Sequence, residues 1–271
     1  DYPVGMQRAI SSIVNVGDIN GDGFDDLMIG DTNPDDWDDI RYMFYYGGTS
    51  DLSDPDLTLS PQAEESGYRF DRIGDVDGDG YQDMGIAYTL SYIMHYDIIW
   101  GGTGLRQNIL AGIGNPSYFG SMIGIGDVND DGYDDFAIGY LTDDIGGYNT
   151  YQRLYYGTPT RDFTSYLPII QYHGMATWRC IPLGDLNGDG YDDFFGYATA
   201  NGMMIWLGSD VLLPNCPDIA LTPVYYGDSH VDGIKAGDFN GDGYSDVVGA
   251  SYSSRRFAVW MGSPSMNGHA D

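Results

Sequence analysis

Short runs in which apolar and polar positions alternate divide this chain into strand-sized pieces. Ile13-Val14-Asn15-Val16 and Met122-Ile123-Gly124-Ile125 each lead into an acidic phrase, and Leu27-Met28-Ile29 and Phe136-Ala137-Ile138 each follow one. A period of two is what a β-strand with one buried face requires. A third segment ends on an aromatic followed closely by glycine, at Tyr45-Tyr46-Gly47, Ile99-Trp100-Gly101, Tyr155-Tyr156-Gly157, Trp206-Leu207-Gly208 and Trp260-Met261-Gly262. A fourth, weaker segment follows in four places: Leu57-Thr58-Leu59, Asn108-Ile109-Leu110, Leu167-Pro168-Ile169-Ile170 and Ile219-Ala220-Leu221. Its proline and polar content suits an outer edge strand. The segments are named strands a to d in that order.

The phrase between strands a and b recurs five times as Gly-Asp-x-(Asn/Asp)-x-Asp-Gly-aromatic-x-Asp. Its first Asp is Asp18, Asp75, Asp127, Asp185 and Asp238, so the intervals are 57, 52, 58 and 53 residues. That period is too long for a leucine-rich or ankyrin unit and fits a multi-strand blade stacked on its neighbours. The expected fold is therefore all-β, a β-propeller with five blades of four antiparallel strands and a loop between strands a and b of each blade. The blades centre on residues 18–62, 75–113, 127–172, 185–224 and 238–262, within one domain spanning 1–271. Only Ser263 to Asp271 follow the last strand c, so blade five is one strand short. Tyr2-Pro3-Val4 stands where other repeats carry strand d, and residues 1–8 are expected to supply the closing outer strand within one chain. Completion of that edge by another copy, in a head-to-tail filament, is the alternative.

Composition sharpens this picture. Forty-one acidic residues oppose 11 basic ones, a formal charge of −30, which argues against a phosphate backbone or an anionic membrane as partner. The acidic set is 39 Asp with only Glu64 and Glu65, so the shorter carboxylate is selected. Forty Gly disfavour long helices, and no run of eighteen apolar residues offers a membrane span. The opening Asp1-Tyr2-Pro3-Val4-Gly5 lacks an initiator Met and a charged-then-apolar signal, as in a processed or excised chain. Cys180 and Cys216 either form one disulfide or are small buried apolar residues.

Numbered from its first Asp, each phrase offers oxygen side chains at positions 1, 3, 5 and 9. They are Asp18, Asn20, Asp22 and Asp26; Asp75, Asp77, Asp79 and Asp83; Asp127, Asn129, Asp131 and Asp135; Asp185, Asn187, Asp189 and Asp193; Asp238, Asn240, Asp242 and Asp246. Calcium takes six to eight oxygens at about 2.3–2.6 Å from a tightly curled loop, where Asp and Asn fit and Glu does not. Position 6 is Gly in every copy, as a sharp turn needs. Position 7 is aromatic (Phe24, Tyr81, Tyr133, Tyr191, Tyr244) and would offer its carbonyl while the ring packs. Position 12, where an EF-hand closes on Glu, is Ile29, Ile86, Ile138, Gly196 and Gly249, so closure falls to the Asp at position 9. Ordinary Asx turns are the metal-free reading. Against it, twenty of the acidic residues crowd into five nine-residue windows and repel unless a cation is bound. Asp130 is the one irregular spacer.

These repeats resemble FG-GAP repeats, the calcium-loop blades of integrin α-subunit propellers and of many bacterial extracellular proteins. Phe119-Gly120 keeps the eponymous pair before the third loop. The resemblance implies about five calcium ions on the residues just named, an extracellular or cell-surface setting, and a structural, adhesive or assembly role. Family propellers usually carry more blades than the five repeats found here.

Other candidates are weaker. Trp100, Trp206 and Trp260 recur in register, which argues for core over sugar stacking. Trp37, Tyr118, Tyr172, His173, Trp178, Tyr226, His230 and Arg255 fall in connections on the face opposite the acidic loops, where a protein or glycan partner would bind. Asp31, Asp35, Asp36, Asp38 and Asp39 around Trp37 form either a further cation site or a solvated loop. The histidines His95, His173, His230 and His269 show no metal-protease spacing, and no nucleophile elbow occurs, so the chain is expected not to be an enzyme. A carbohydrate-binding propeller and a glycan-active enzyme remain alternatives.

Overall fold

The computed structural model describes residues 9–33, 36–48, 53–59, 65–90, 93–103, 106–113, 120–144, 147–173, 180–197, 203–212, 217–221, 233–251, 255–266 and 268–269. Among these there is no helix; nineteen strands form five antiparallel sheets. The first sheet holds β1 (Ala9–Gly17), β2 (Asp26–Asn33), β3 (Asp36–Tyr45) and β4 (Leu57–Leu59). The second holds β5 (Glu65–Gly74), β6 (Asp83–Leu90), β7 (Ile93–Ile99) and β8 (Arg106–Ile113). The third holds β9 (Gly120–Gly126), β10 (Asp135–Asp144), β11 (Gly147–Tyr155) and β12 (Leu167–His173). The fourth holds β13 (Ile181–Gly184), β14 (Asp193–Tyr197), β15 (Met203–Trp206) and β16 (Ile219–Leu221). The fifth has three strands among the described residues, β17 (Gly233–Gly237), β18 (Asp246–Ser251) and β19 (Arg256–Trp260). Residues 1–8, expected to supply a fourth, lie outside the described residues.

Within every sheet the strands pair in chain order, so the first strand is innermost and the acidic loops all lie at one end of their sheets. The first strands also pack in sequence, β1 on β5, β5 on β9, β9 on β13 and β13 on β17. Between successive sheets lie four apolar cores. Trp100, Trp206 and Trp260 are buried in them, which settles these rings as core. Phe194 stacks on Trp206 with centroids 5.5 Å apart, and Phe136 on Tyr155 at 5.1 Å. Each fully buried aromatic of this kind contributes roughly 1.5–3 kcal/mol by leaving water.

The joint between neighbouring sheets is built from repeated parts. The position-8 backbone N–H of one loop donates to the position-1 carbonyl of the loop before it: Gln82 to Asp18, Asp134 to Asp75, Asp192 to Asp127 and Ser245 to Asp185, at 3.0–3.1 Å. The position-7 ring lies against position 4 of the preceding loop. A Cβ on Gly21, Gly78 or Gly188 would come within 2.4 Å of the ring of Tyr81, Tyr133 or Tyr244. These glycines are left-handed, with φ between +72° and +78°. Position 4 is thus the seat of the next repeat's aromatic ring as well as a turn. Asp130 occupies it in the third loop with the same left-handed backbone, φ 54°.

Candidate metal centre

Side chains of the loop hold its backbone in a curl. In the first loop the Asp18 carboxylate accepts the N–H groups of Gly21, Asp22 and Gly23 at 2.6, 3.1 and 2.8 Å, and Asp22 Oδ1 accepts that of Phe24 at 2.9 Å. The second, fourth and fifth loops repeat this pattern, and the third keeps it except at Asp130. Asx-turn bonds are therefore present, as the metal-free reading requires. They do not exhaust the oxygens, since an ionised carboxylate has about four lone-pair sites. In the second loop one oxygen from each of Asp75, Asp77 and Asp83 lies within 4.8 Å of the others.

Position 9 does more than close the loop. Asp26, Asp83, Asp135, Asp193 and Asp246 are all buried, and each carboxylate bridges two distant backbone donors. One oxygen of Asp135 accepts Val128 N–H at 3.0 Å and the other Gly157 N–H at 2.8 Å, tying the loop to the end of strand c. The same pair of bonds recurs at Asp26, Asp83, Asp193 and Asp246. This accounts for the glycine after each strand c: a Cβ on Gly157 would lie 2.5 Å from the Asp134 carbonyl, and the other four meet the equivalent oxygen as closely. Burial pushes the carboxyls of Asp83 and Asp193 up to about 7 and that of Asp135 to about 8, against the pull of these N–H bonds.

The second loop differs from the rest. At position 3 the others carry Asn, whose Nδ2 donates to the position-5 carboxylate at 2.8–3.1 Å. Asp77 has no such donor and faces Asp79 as a second negative charge. Arg161, from the turn after β11, pairs with Asp77 and reaches Asp79 at 3.2 Å. Its guanidinium sits 4.2 Å over the Trp100 ring, and its backbone carbonyl accepts from Gln107, which in turn accepts Trp100 Nε1–H. The Asp at position 3 is the only mark of this partner in the sequence. Position 8 also escaped the sequence reading: Asp134 and Asp192 accept the N–H of Asp75 and Asp127 across the joint.

The remaining candidates do not gather into one site among the described residues. Trp37 lies in β3 and Tyr172 and His173 end β12, all toward the sheet ends opposite the acidic loops. Arg255 is exposed in the turn before β19, with a left-handed φ of 56°. Tyr118, Trp178, Tyr226, His230 and Cys216 lie outside the described residues. Cys180 is buried, with its thiol 3.6 Å from Gln152 Oε1 and pushed up to about 12 by burial. Asp31 is buried and paired with Arg41 at 2.9 Å, which removes it from the proposed extra cation cluster. A cavity of about 620 Å³ runs across the inner strands, lined by Ile123, Ile181 and Ile234 and by the charged Asp71, Arg72 and Asp134.

No protein-family model matches the chain. It is 29% identical to integrin alpha-IIb of Mus musculus over 172 residues, 55% of this chain and 16% of the relative. It is 32% identical to integrin alpha-3 of Cricetulus griseus over 150 residues, 49% of this chain and 14% of the relative. The similarity to integrin α chains is thus partial, and the chain matches only about a sixth of their length. Two solved structures share its fold across 97% of the chain: the Bacillus licheniformis rhamnogalacturonan lyase PL11 (TM-score 0.56, 13% identity) and the exotype rhamnogalacturonan lyase YesX (0.52, 14%). The chain spans about half the length of each. This corrects the expectation that the chain is not an enzyme, because enzymes are built on this fold. Groups that a fold brings together from separate strands leave no local spacing to be read, so the lack of a contiguous motif excluded nothing. Among the described residues no helix is long and apolar enough to cross a membrane.

Proposed function

We propose that the five sheets are blades of a calcium-stabilised β-propeller module that works outside the cell or at its surface, in adhesion or assembly. The observation that carries this reading is the convergence of carboxylate oxygens in the second loop, whose sequence phrase and hydrogen-bonded curl recur in the other loops. Positions 1, 3, 5 and 9 and the position-7 carbonyl would hold the ion, an all-oxygen set suited to a hard cation. Bound calcium supplies positive charge to each acidic window. The loops' own residues hold the curl and tie it to strand c. The partial similarity to integrin α chains supports an adhesion-type module. Elemental analysis after equilibration in calcium and desalting is expected to find one ion per loop; a protein emerging without calcium removes the reading.

A glycan at the inner cavity is a second reading, favoured by the fold shared with the rhamnogalacturonan lyases and by Arg72 at the cavity wall. Incubation with rhamnogalacturonan and other acidic polysaccharides is expected to show retention or depolymerisation. Neither outcome appearing would discard it.

A further inference from the structure

Among the described residues the inter-sheet joint is made four times, and one half of it is left open on the first sheet and the other half on the fifth. In the joint of the first and second sheets, Phe70 lies five residues before its loop and packs on Tyr42, five residues before the glycine that follows strand c, with ring centroids 4.1 Å apart. The residue in the register of Phe70 in the first sheet is Ile13, which is 63% exposed. In the register of Tyr42 the second sheet has Tyr96, fully buried, whereas the fifth has Phe257, 73% exposed. Loop position 2 behaves alike: Val76, Val128 and Leu186 are fully buried, while Phe239 in the fifth sheet is 56% exposed. The ring-and-notch contact is also split between the ends. Phe24 is 56% exposed, and a Cβ on Gly241 would meet nothing within 4 Å among the described residues.

We infer that the trailing face of the fifth sheet, around Phe257, Phe239 and Gly241, docks the leading face of the first sheet, around Ile13 and Phe24, of a second copy of this chain. The two faces are complementary because each carries the registers that mate in the interior joints. Among the described residues both faces are open at once. Burial of such apolar residues drives association. The contact is heterologous: it builds a ring where the rotation closes and a filament where it does not. Two chains of charge −30 repel, so added salt strengthens this joint, the reverse of an interface held by ion pairs. The inference goes beyond the calcium reading and does not rest on it, because failure to bind metal is seen separately in the elemental count.

Sedimentation velocity in calcium buffer, from about 1 to about 100 µM, tests it. The parent chain is expected to associate progressively and more tightly at higher salt. Ile13→Lys and Phe257→Lys, each at an exposed site, are expected to weaken self-association at least ~10-fold while melting like the parent. Mixed in equal amounts they should form a dimer that grows no further, since each retains the face the other has lost. Should a lysine variant melt early, the milder Ile13→Ser and Phe257→Ser replace the pair. A parent chain that stays monomeric throughout, or a mixture that forms no dimer, overturns the inference.

Discussion

Removing calcium with EDTA is expected to lower the melting temperature by roughly 5–10 °C for every loop that loses its ion. An ion bound only by the folded state at 100 times its dissociation constant stabilises it by about 2.7 kcal/mol, and 1 kcal/mol shifts the melting of a 150–250-residue domain by about 2–4 °C. Twenty acidic residues share the five windows, so the chelated protein retains their mutual repulsion with little besides Arg161 to offset it in the second loop. Sodium chloride should then recover part of the loss by screening the exposed members. Magnesium should recover less, because it demands shorter bonds and octahedral geometry that a flexible all-oxygen loop does not impose. A melting curve unchanged by EDTA would leave the loops as plain Asx turns.

Local pattern made the strands legible, and contacts between distant residues hid the rest. Leu57-Thr58-Leu59 and Ile219-Ala220-Leu221 are β4 and β16 to the residue, because an alternating triplet between turns has few other uses. The five aromatic-glycine endings were readable as strand ends, yet their cause was not. It lies in a carboxylate such as Asp135, 22 residues from the Gly157 N–H it accepts, and in a carbonyl a Cβ would strike. Arg161 is 82 residues from Asp79, with no spacing to connect them. The seat of Tyr81 on Gly21 likewise depends on how neighbouring sheets stack, which alternation within one strand does not encode. Period and composition therefore described each repeat, whereas the joints between repeats, and with them the faces left open among the described residues, became visible only in three dimensions.

Asp135→Asn and Asp131→Asn should separate the structural duty of the loop from its duty to metal. Asp131 is exposed; its Oδ1 accepts Tyr133 N–H at 3.1 Å, a bond the Asn oxygen can keep, while the bond its Oδ2 accepts from Asn129 Nδ2 at 2.9 Å is exchanged for one to water. In EDTA its replacement removes one of several like charges, so the expected change in stability lies within about 0.5 kcal/mol. In calcium the same variant loses a charged ligand, and its deficit appears only there. Asp135 is fully buried and holds Val128 N–H and Gly157 N–H on its two oxygens. Asn offers one oxygen and one NH2, so a buried donor is turned toward a backbone donor. An unsatisfied buried group costs about 1–3 kcal/mol, and two now face each other, so the expected loss is roughly 2–5 kcal/mol even without metal. Urea unfolding of both variants, with calcium and with EDTA, gives the four values needed. Equal losses for the two variants in EDTA would show that the buried bridge from loop to strand c contributes no more than an exposed ligand, and the account of position 9 would fall.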